Sequence, residues 1–453
     1  MKYYILLILF VMGCAPLSAQ HYKMKMEKQN GENIEKRADE VEEVLFNEGK
    51  ILVKEKGGSK TEYAKGEIRK IYFLISDTKR QTLNMQLPRS IKTPTSAQLQ
   101  ISLTNLSTNQ TYKAKTEELE AGAVTMLAEV PAGNYKIAAI GTIDFEKRIW
   151  IKKKKKWQVI EMKAQVKAEE TVSIAENDSN NKIEIPLKSY TDADGFLITE
   201  VFFASPPNRE YDDQYIKIGN NTDSVKYADG LAIVESGFNT NDSTENNPQF
   251  MDEMMTITWA YVIPGTGRDV PVKPGEELLI ALNAENYKAK YGSFDLSHAD
   301  FEFYDKTGVD VDNKDVPDLE NWTKTNGMQT TLSTRGCKAL GLVKMNVDRE
   351  IFRKNFCYTY SEKDLPSGFV NPEVFGHVVP NAWAVDVVEI AAKEDRQWNV
   401  FDWELDCGFT YATQHHVGDD YGKAVVRRKI RNKWRDTNNS SKDFLHNASA
   451  TMY

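Results

Sequence analysis

Acidic side chains give this sequence its densest chemistry. Residues 305–320, DKTGVDVDNKDVPDLE, bring Asp310, Asp312, Asn313, Asp315 and Asp318 close together. Calcium takes about six to eight hard oxygen donors and tolerates irregular geometry, so this spacing suits it. The stretch lacks the Gly at the sixth position and the Glu at the twelfth that an EF-hand loop requires. Two alternatives follow: a calcium site on Asp310, Asp312, Asp315 and Asp318, or a solvated acidic loop that holds no ion. The clustered imidazoles are His415 and His416, in TYATQHHVGDDYG, with Asp419 and Asp420 close behind. Adjacent residues of a strand point to opposite faces, so one metal takes both only where the chain is looped. A ligand set built from here needs His298, His377 or His446 brought in by folding. No G-x-S-x-G, H-E-x-x-H, P-loop or G-x-G-x-x-G occurs, and no Cys stands beside a His in a nucleophile pattern. The expectation is therefore a non-enzyme, with no cofactor beyond a calcium ion.

At 453 residues the chain is too long for one core and is expected to hold two or three folding units. A net charge of −8 argues against nucleic acid as a partner, because phosphate binding needs a strongly positive field. Two local basic runs stand out against it: IKKKKKW at residues 151–157, read as a hairpin tip, and VVRRKIRNKWR at residues 425–435. For the first, a solvated turn competes with contact to a polyanion or an anionic lipid surface; for the second, a closing strand competes with an amphipathic docking edge. Cys337, Cys357 and Cys407 allow at most one internal disulfide and have no zinc spacing, the alternative being buried small apolar groups.

Residues 1–19 read as an export signal: Lys2, an apolar run too short to span a bilayer, then small residues. Cleavage after Leu17-Ser18-Ala19 competes with acylation of Cys14, because Val11-Met12-Gly13-Cys14 resembles a bacterial lipobox. Either route takes the chain out of the cytoplasm, to the outer membrane as a lipoprotein, to the periplasm or to the cell surface. Residues 20–80 read as a tether, then a short helix capped by Asn33 with Ile34, Ala38, Val41 and Leu45 on one face and stopped by Gly49, then strands. This piece is left without a domain. Residues 81–188 carry alternating apolar runs separated by Asn, Gly, Pro and Lys clusters, the pattern of a β-sandwich. ISLTNLSTNQTYKAKTEE followed by VPAGNYKIAAIG resembles the carboxypeptidase regulatory-like, or transthyretin-like, sandwich. That resemblance implies a spacer or docking module. ENDSNN at residues 176–181 reads as the linker.

Residues 189–453 open on FLITEVFFASPPNREYDDQYIKIGNNTDSVKYADGLAIVE, three apolar strands broken by turn-forming clusters. The strand order that follows, ending in a Pro-Gly turn into LLIA, resembles a lamin-tail type of immunoglobulin-like sandwich with long insertions. The stretches DQYIKIGNNTD, YADGLAIVES, VIPGTGRDVPVKPGEELLIA, FDLSHADFEFYD, NPEVFGHVVPNAWAVDVV and RDTNNSSKDF resemble more closely a family of exported Bacteroidetes proteins catalogued as domain of unknown function number 4876. This implies an exported, often lipid-anchored protein with a regulatory-like sandwich in front. Asp223-Ser224-Val225 and Asp242-Ser243-Thr244 resemble the O-glycosylation acceptor of that phylum, and both fall in predicted loops.

The resulting expectation is a mainly β protein of two β-sandwiches with a short N-terminal helix. It would act as an exported binding or accessory protein at the outer membrane, working beside a TonB-dependent uptake receptor or another surface protein. The alternatives are an adhesion or structural scaffold and, from the acidic loop or His415-His416, a metal-dependent hydrolase.

Overall fold

The structure, a computed structural model, describes residues 22–452 except 39, 76–78, 108, 152–154, 176–181, 207–211, 247, 249, 306–311, 325–329, 364–367 and 419–420. The expected export signal, Cys14 and the linker at 176–181 therefore lie outside the described residues. Strands dominate, as the alternating runs predict, and no helix among the described residues is long and apolar enough to cross a membrane.

Residues 22–75 form two three-stranded antiparallel sheets. Tyr22–Lys28 lies between Asn33–Arg37 and Ile68–Ile75 in one; Val41–Asn47, Lys50–Glu55 and Lys60–Ala64 follow in order in the other. Met24, Met26 and Val53 are fully buried between them, with Ile34, Val41 and Val44 packed against them. The helix expected from Asn33 to Leu45 is absent, replaced by the strands Asn33–Arg37 and Val41–Asn47. A lone helix of that length with about one apolar residue per turn is marginal in water. As strands, the same residues set Ile34 opposite Met26 and Val44 opposite Val53, and β-branched side chains favour that pleated surface. Gly49, expected as a helix stop, has a positive φ of 81° and turns the hairpin between Asn47 and Lys50.

The chain then builds a four-stranded sheet in the order Lys115–Glu120, Ala123–Val130, Lys79–Gln86, Lys182–Pro186. Its five-stranded counterpart runs Lys188–Tyr190, Lys156–Ile174, Gly133–Ile151, Pro94–Asn105, Thr111–Lys113. The strands Gly133–Ile151 and Lys156–Ile174 have 19 residues each, far longer than the usual five or six or so. Two compact units result. The first comprises Met1–Pro88, Ser96–Ile143 and Val166–Lys188; the second comprises Arg89–Thr95, Asp144–Gln165 and Ser189–Tyr453. Residues 144–165, read from the sequence as part of the first sandwich, are thus grouped with the second unit.

The second unit holds a six-stranded sheet ordered Phe301–Glu302, Glu277–Ala281, Tyr215–Asn220, Phe196–Phe202, Ala424–Arg427, Phe444–Ala448. A second sheet runs Cys357–Lys363, Val370–Pro380, Met254–Val262, Leu231–Ser236, Leu340–Lys344, Ala384–Val388, with Glu320–Lys324 paired to Met254–Val262. Every residue of Phe196–Phe202 is buried. Ile198 and Val201 face the main core with Ile216, Ile233, Tyr261 and Leu342, while Phe202 joins a second apolar cluster with Tyr215, Tyr287 and Leu296. A strand covered on both sides needs the near-continuous apolar run that the sequence carries there. Across the core, Arg427 Nη2 pairs with Asp386 Oδ2 at 2.6 Å and Arg427 Nε donates to the Ile198 carbonyl at 2.8 Å. Ile198 N–H donates to the same Asp386 oxygen at 2.7 Å, so one buried ion pair ties strands of both sheets together.

Candidate metal centre in the acidic loop

Strand Phe301–Glu302 adds in parallel to the edge strand Glu277–Ala281, with Phe301 opposite Ile280 and Glu302 opposite Ala281. Phe301 and Phe303 turn into the main core. Alternation therefore throws Glu302 to the other face, where its side chain is wholly enclosed. Its Oε2 accepts from Ala284 N–H at 2.8 Å and its Oε1 from Asn313 N–H at 2.7 Å. The chain returns from residues 306–311 with half-buried Asp312, and exposed Asp318 forms a bridge beside Glu302. One carboxylate oxygen each from Glu302, Asp312 and Asp318 lies within 4.8 Å of the others, close enough to share one ion. Asn313 orients the turn by donating from Nδ2 to the Ala284 carbonyl at 2.7 Å.

Burial, opposed by the two backbone N–H groups and reinforced by the charges of Asp318 and Asp312, pushes the Glu302 carboxyl up to about 7. A divalent cation would reverse that repulsion. Three carboxylates supply only part of a calcium shell, the remainder falling to carbonyls and water. Of the four predicted ligands, Asp312 and Asp318 come together. Asp315 stands exposed outside the group, spending its N–H on Asn313 Oδ1 at 3.1 Å, and Asp310 lies outside the described residues. The alternation reading missed Glu302. Its signal was a lone acid between Phe301 and Phe303 in an otherwise apolar strand.

Asp305, three residues on, is the counter-example. Its Oδ1 accepts from Tyr261 Oη at 2.8 Å and Asn321 Nδ2 at 2.9 Å. Its Oδ2 accepts from Lys324 Nζ at 2.7 Å and from Thr330 N–H and Oγ1 at 3.0 Å each. Burial alone would raise it, yet Lys324 and Tyr261 hold the carboxyl below its ordinary range. Asp229 plays the same part in YADGL: three N–H groups, from Gly267, Asp269 and Val270, reach it at 2.8–3.0 Å and pin the Pro-Gly-Thr-Gly turn. Gly265, with φ of 142°, must be glycine, since a Cβ there would sit 2.1 Å from an Asp229 oxygen. In RDTNNSSKDF, Asp443 likewise accepts from Thr437 N–H at 2.7 Å and Thr437 Oγ1 at 2.8 Å.

Among the described residues, His377 and His446 stand apart from the His415-His416 pair. The chain at His415-His416 is looped, and both rings reach Asp395, His415 Nδ1 at 3.3 Å and His416 Nδ1 at 2.7 Å. Slight burial opposes the shift, but His416 N–H and the two rings hold Asp395 down to about 2. His377 meets Thr323 at 2.8 Å, and burial depresses it to about 4. His446 meets Thr410 at 2.9 Å and stacks on Tyr411. Glu235 is buried with Oε1 accepting from Thr258 Oγ1 at 3.1 Å and Oε2 unpartnered among the described residues. It borders a cavity of about 10 Å³ with Lys338, room for about one water. Burial raises Glu235 to about 7, which Lys338 opposes.

Within the basic C-terminal run, strand Ala424–Arg427 is mostly buried and lies between Phe196–Phe202 and the edge strand Phe444–Ala448, and Arg427 points inward to Asp386. Cys337 and Cys357 are buried and Cys407 is exposed, and none of the three is in a disulfide. Of the two acceptor-like triplets, Ser224 is exposed, whereas Asp242 and Ser243 are 3% and 8% exposed, so the second does not lie in an open loop.

Residues 273–451 match the sequence model of a family described as "Protein of unknown function (DUF4876)". The family resemblance read from the sequence therefore holds over that stretch, which contains the acidic loop, the His415-His416 segment and Asp443. A crystal structure of a DUF4876 family protein from Bacteroides thetaiotaomicron is similar, with 18% identity, covering 82% of this chain and 96% of that one at a TM-score of 0.48. No curated protein matches the chain.

Proposed function

We propose that this is an exported, non-catalytic binding or accessory protein of the outer membrane or cell surface, whose working parts are open faces. The observation that carries this reading is a wide cavity of about 1000 Å³ on the first unit. Small residues Ala114, Ala138 and Ala168 border it together with Gln100, Ile140 and Lys167. Ile140 is 51% exposed, a large apolar side chain left for a partner to cover. A broad trough with long polar side chains at its edge suits an extended protein partner better than a small reactant. In the second unit, Asp229, Asp305 and Asp443 are engaged by structural donors. By analogy with other exported sandwiches, the partner is a TonB-dependent uptake receptor, with acylated Cys14 as the tether. Calcium enters as a structural ion that orders the acidic loop.

The test is a pull-down of the tagged full chain from the native outer membrane, with partners identified by mass spectrometry and Ile140→Asp in parallel. Recovery of an uptake receptor by the wild-type chain and its loss with Ile140→Asp is the expected result. Recovery of nothing, or equal recovery by both, overturns the reading; recovery of adhesin or pilus subunits would assign the scaffold role instead.

A further inference from the structure

The arm of the second unit formed by residues 144–165 has one anchored face and one open face. Phe145 and Ile149 point inward from one strand, and Ile160, Met162 and Ala164 from the other. The inward side is held by Lys147 Nζ to Glu253 at 2.6 Å, by Trp383 Nε1 donating to the Lys163 carbonyl at 2.9 Å, and by Gln158 donating to the Asn355 carbonyl. Period two then forces Trp150 and Trp157 outward. Their rings meet edge to face at 5.5 Å, with Trp157 64%, Trp150 42% and neighbouring Val159 43% exposed. Exposed Lys155 and Lys156 lead into the second strand and make no ion pair among the described residues. Arg148, beside Trp150, reaches Glu146 at 3.4 Å. Helix Arg349–Asn355, whose end receives Gln158, adds exposed Arg353 and Lys354. In sequence, residues 144–165 carry eight basic and three acidic side chains within a chain of net charge −8.

We infer that the open face of this arm is a docking surface for an anionic lipid bilayer, with Trp150 and Trp157 seated at headgroup level and Lys155 and Lys156 on the lipid phosphates. Tryptophan favours the membrane interface because its ring is apolar with one polar edge, and an adjacent cluster of Lys and Arg is attracted to a negative leaflet. An ordinary solvated turn needs neither tryptophan, and the edge-to-face pair gives the tip an apolar end that water solvates poorly. Complementary charge selects the occupant: the rest of the chain is acidic, so the basic arm is the part that a negative surface would hold while the remainder is repelled.

The test uses the chain purified after export with Cys14→Ser, so that no acyl group contributes. Flotation is measured with vesicles of phosphatidylglycerol and phosphatidylethanolamine and with vesicles of phosphatidylcholine alone. Binding to the anionic vesicles only, a blue shift of tryptophan emission and loss of binding in high salt are expected. Lys155→Glu/Lys156→Glu should weaken binding by at least about tenfold, since two charges held near a negative surface are reversed in sign. Trp150→Ser/Trp157→Ser should bind weakly without the blue shift, its unfolding curve confirming an intact fold. No flotation, equal flotation with both vesicle types, or wild-type binding by the tryptophan variant would overturn the inference. So would a dimer in solution that Trp157→Ser dissolves, which would give the face to a second copy of the chain.

Discussion

Glu302 and Asp305 lie three residues apart on one segment of the second unit, both buried, and the fold treats them in opposite ways. Asp305 collects donors from Tyr261, Asn321, Lys324 and Thr330, and its carboxyl is held below the ordinary range. Glu302 receives two backbone N–H groups but faces Asp312 and Asp318, and is pushed up to about 7. The difference separates a carboxylate that completes a structure from one whose charge is left over. Burial alone does not distinguish them; the sign of the neighbours does.

The largest effect should come from breaking the satisfied member. Asp305→Ala takes a buried carboxylate away from the Lys324 ammonium and the other donors, and is expected to cost about 3–5 kcal/mol in chemical denaturation. A loss under about 1 kcal/mol would mean that water replaces the carboxylate without penalty.

Next is the response to calcium. In wild-type protein freed of metal by chelator, calcium at a hundredfold excess over its dissociation constant should add about 2.7 kcal/mol. In Glu302→Gln that gain should vanish while the metal-free stability stays close to wild type. An unchanged melting temperature of the wild-type chain on adding calcium would sink the site.

The pH dependences should run in opposite directions. Glu302 titrates higher in the folded protein than its ordinary 4.5, so its contribution is complete below that value and is lost as pH rises toward about 7. After discounting for partial screening this is on the order of 1 kcal/mol without metal. Asp305 does the reverse: its contribution is complete above its ordinary 3.8 and is lost as pH falls through its lowered folded value. Glu235 also titrates near 7, so the difference between wild type and Glu302→Gln is the informative curve. The smallest effect belongs to Asp315→Asn: stability within about 0.5 kcal/mol and an unaltered calcium response, because its carboxylate stands outside the cluster.

Much of the sheet architecture was legible because apolar residues at period two, stopped by turn-formers, have few alternatives to strands. FLITEVF, YIKIGN and LAIVES lie as strands Phe196–Phe202, Tyr215–Asn220 and Leu231–Ser236. The stretch from Asn33 to Leu45 failed because four apolar residues fit a helical face as well as two short strands. What decided between them was Met24, Met26 and Val53, distant partners that local spacing does not reveal. The acidic loop was legible as a concentration of oxygen ligands, yet its deepest member was not. Glu302 is drawn in by pairing with Ala281, and Asp315 is turned out by a local bond to Asn313. The polar letters of YADGL and RDTNNSSKDF had no visible purpose until the backbone amides they hold were in view.

Cys407 offers an experimental handle. Beside it, Asp406 accepts N–H groups from Glu389 at 3.0 Å, Gly408 at 3.0 Å and Ser440 at 2.8 Å, while Cys337 and Cys357 are enclosed. A maleimide dye added to the folded protein should therefore attach at this one position among the three thiols. Its emission would then follow the seating of the segment around Ser440 in real time, without any engineered label.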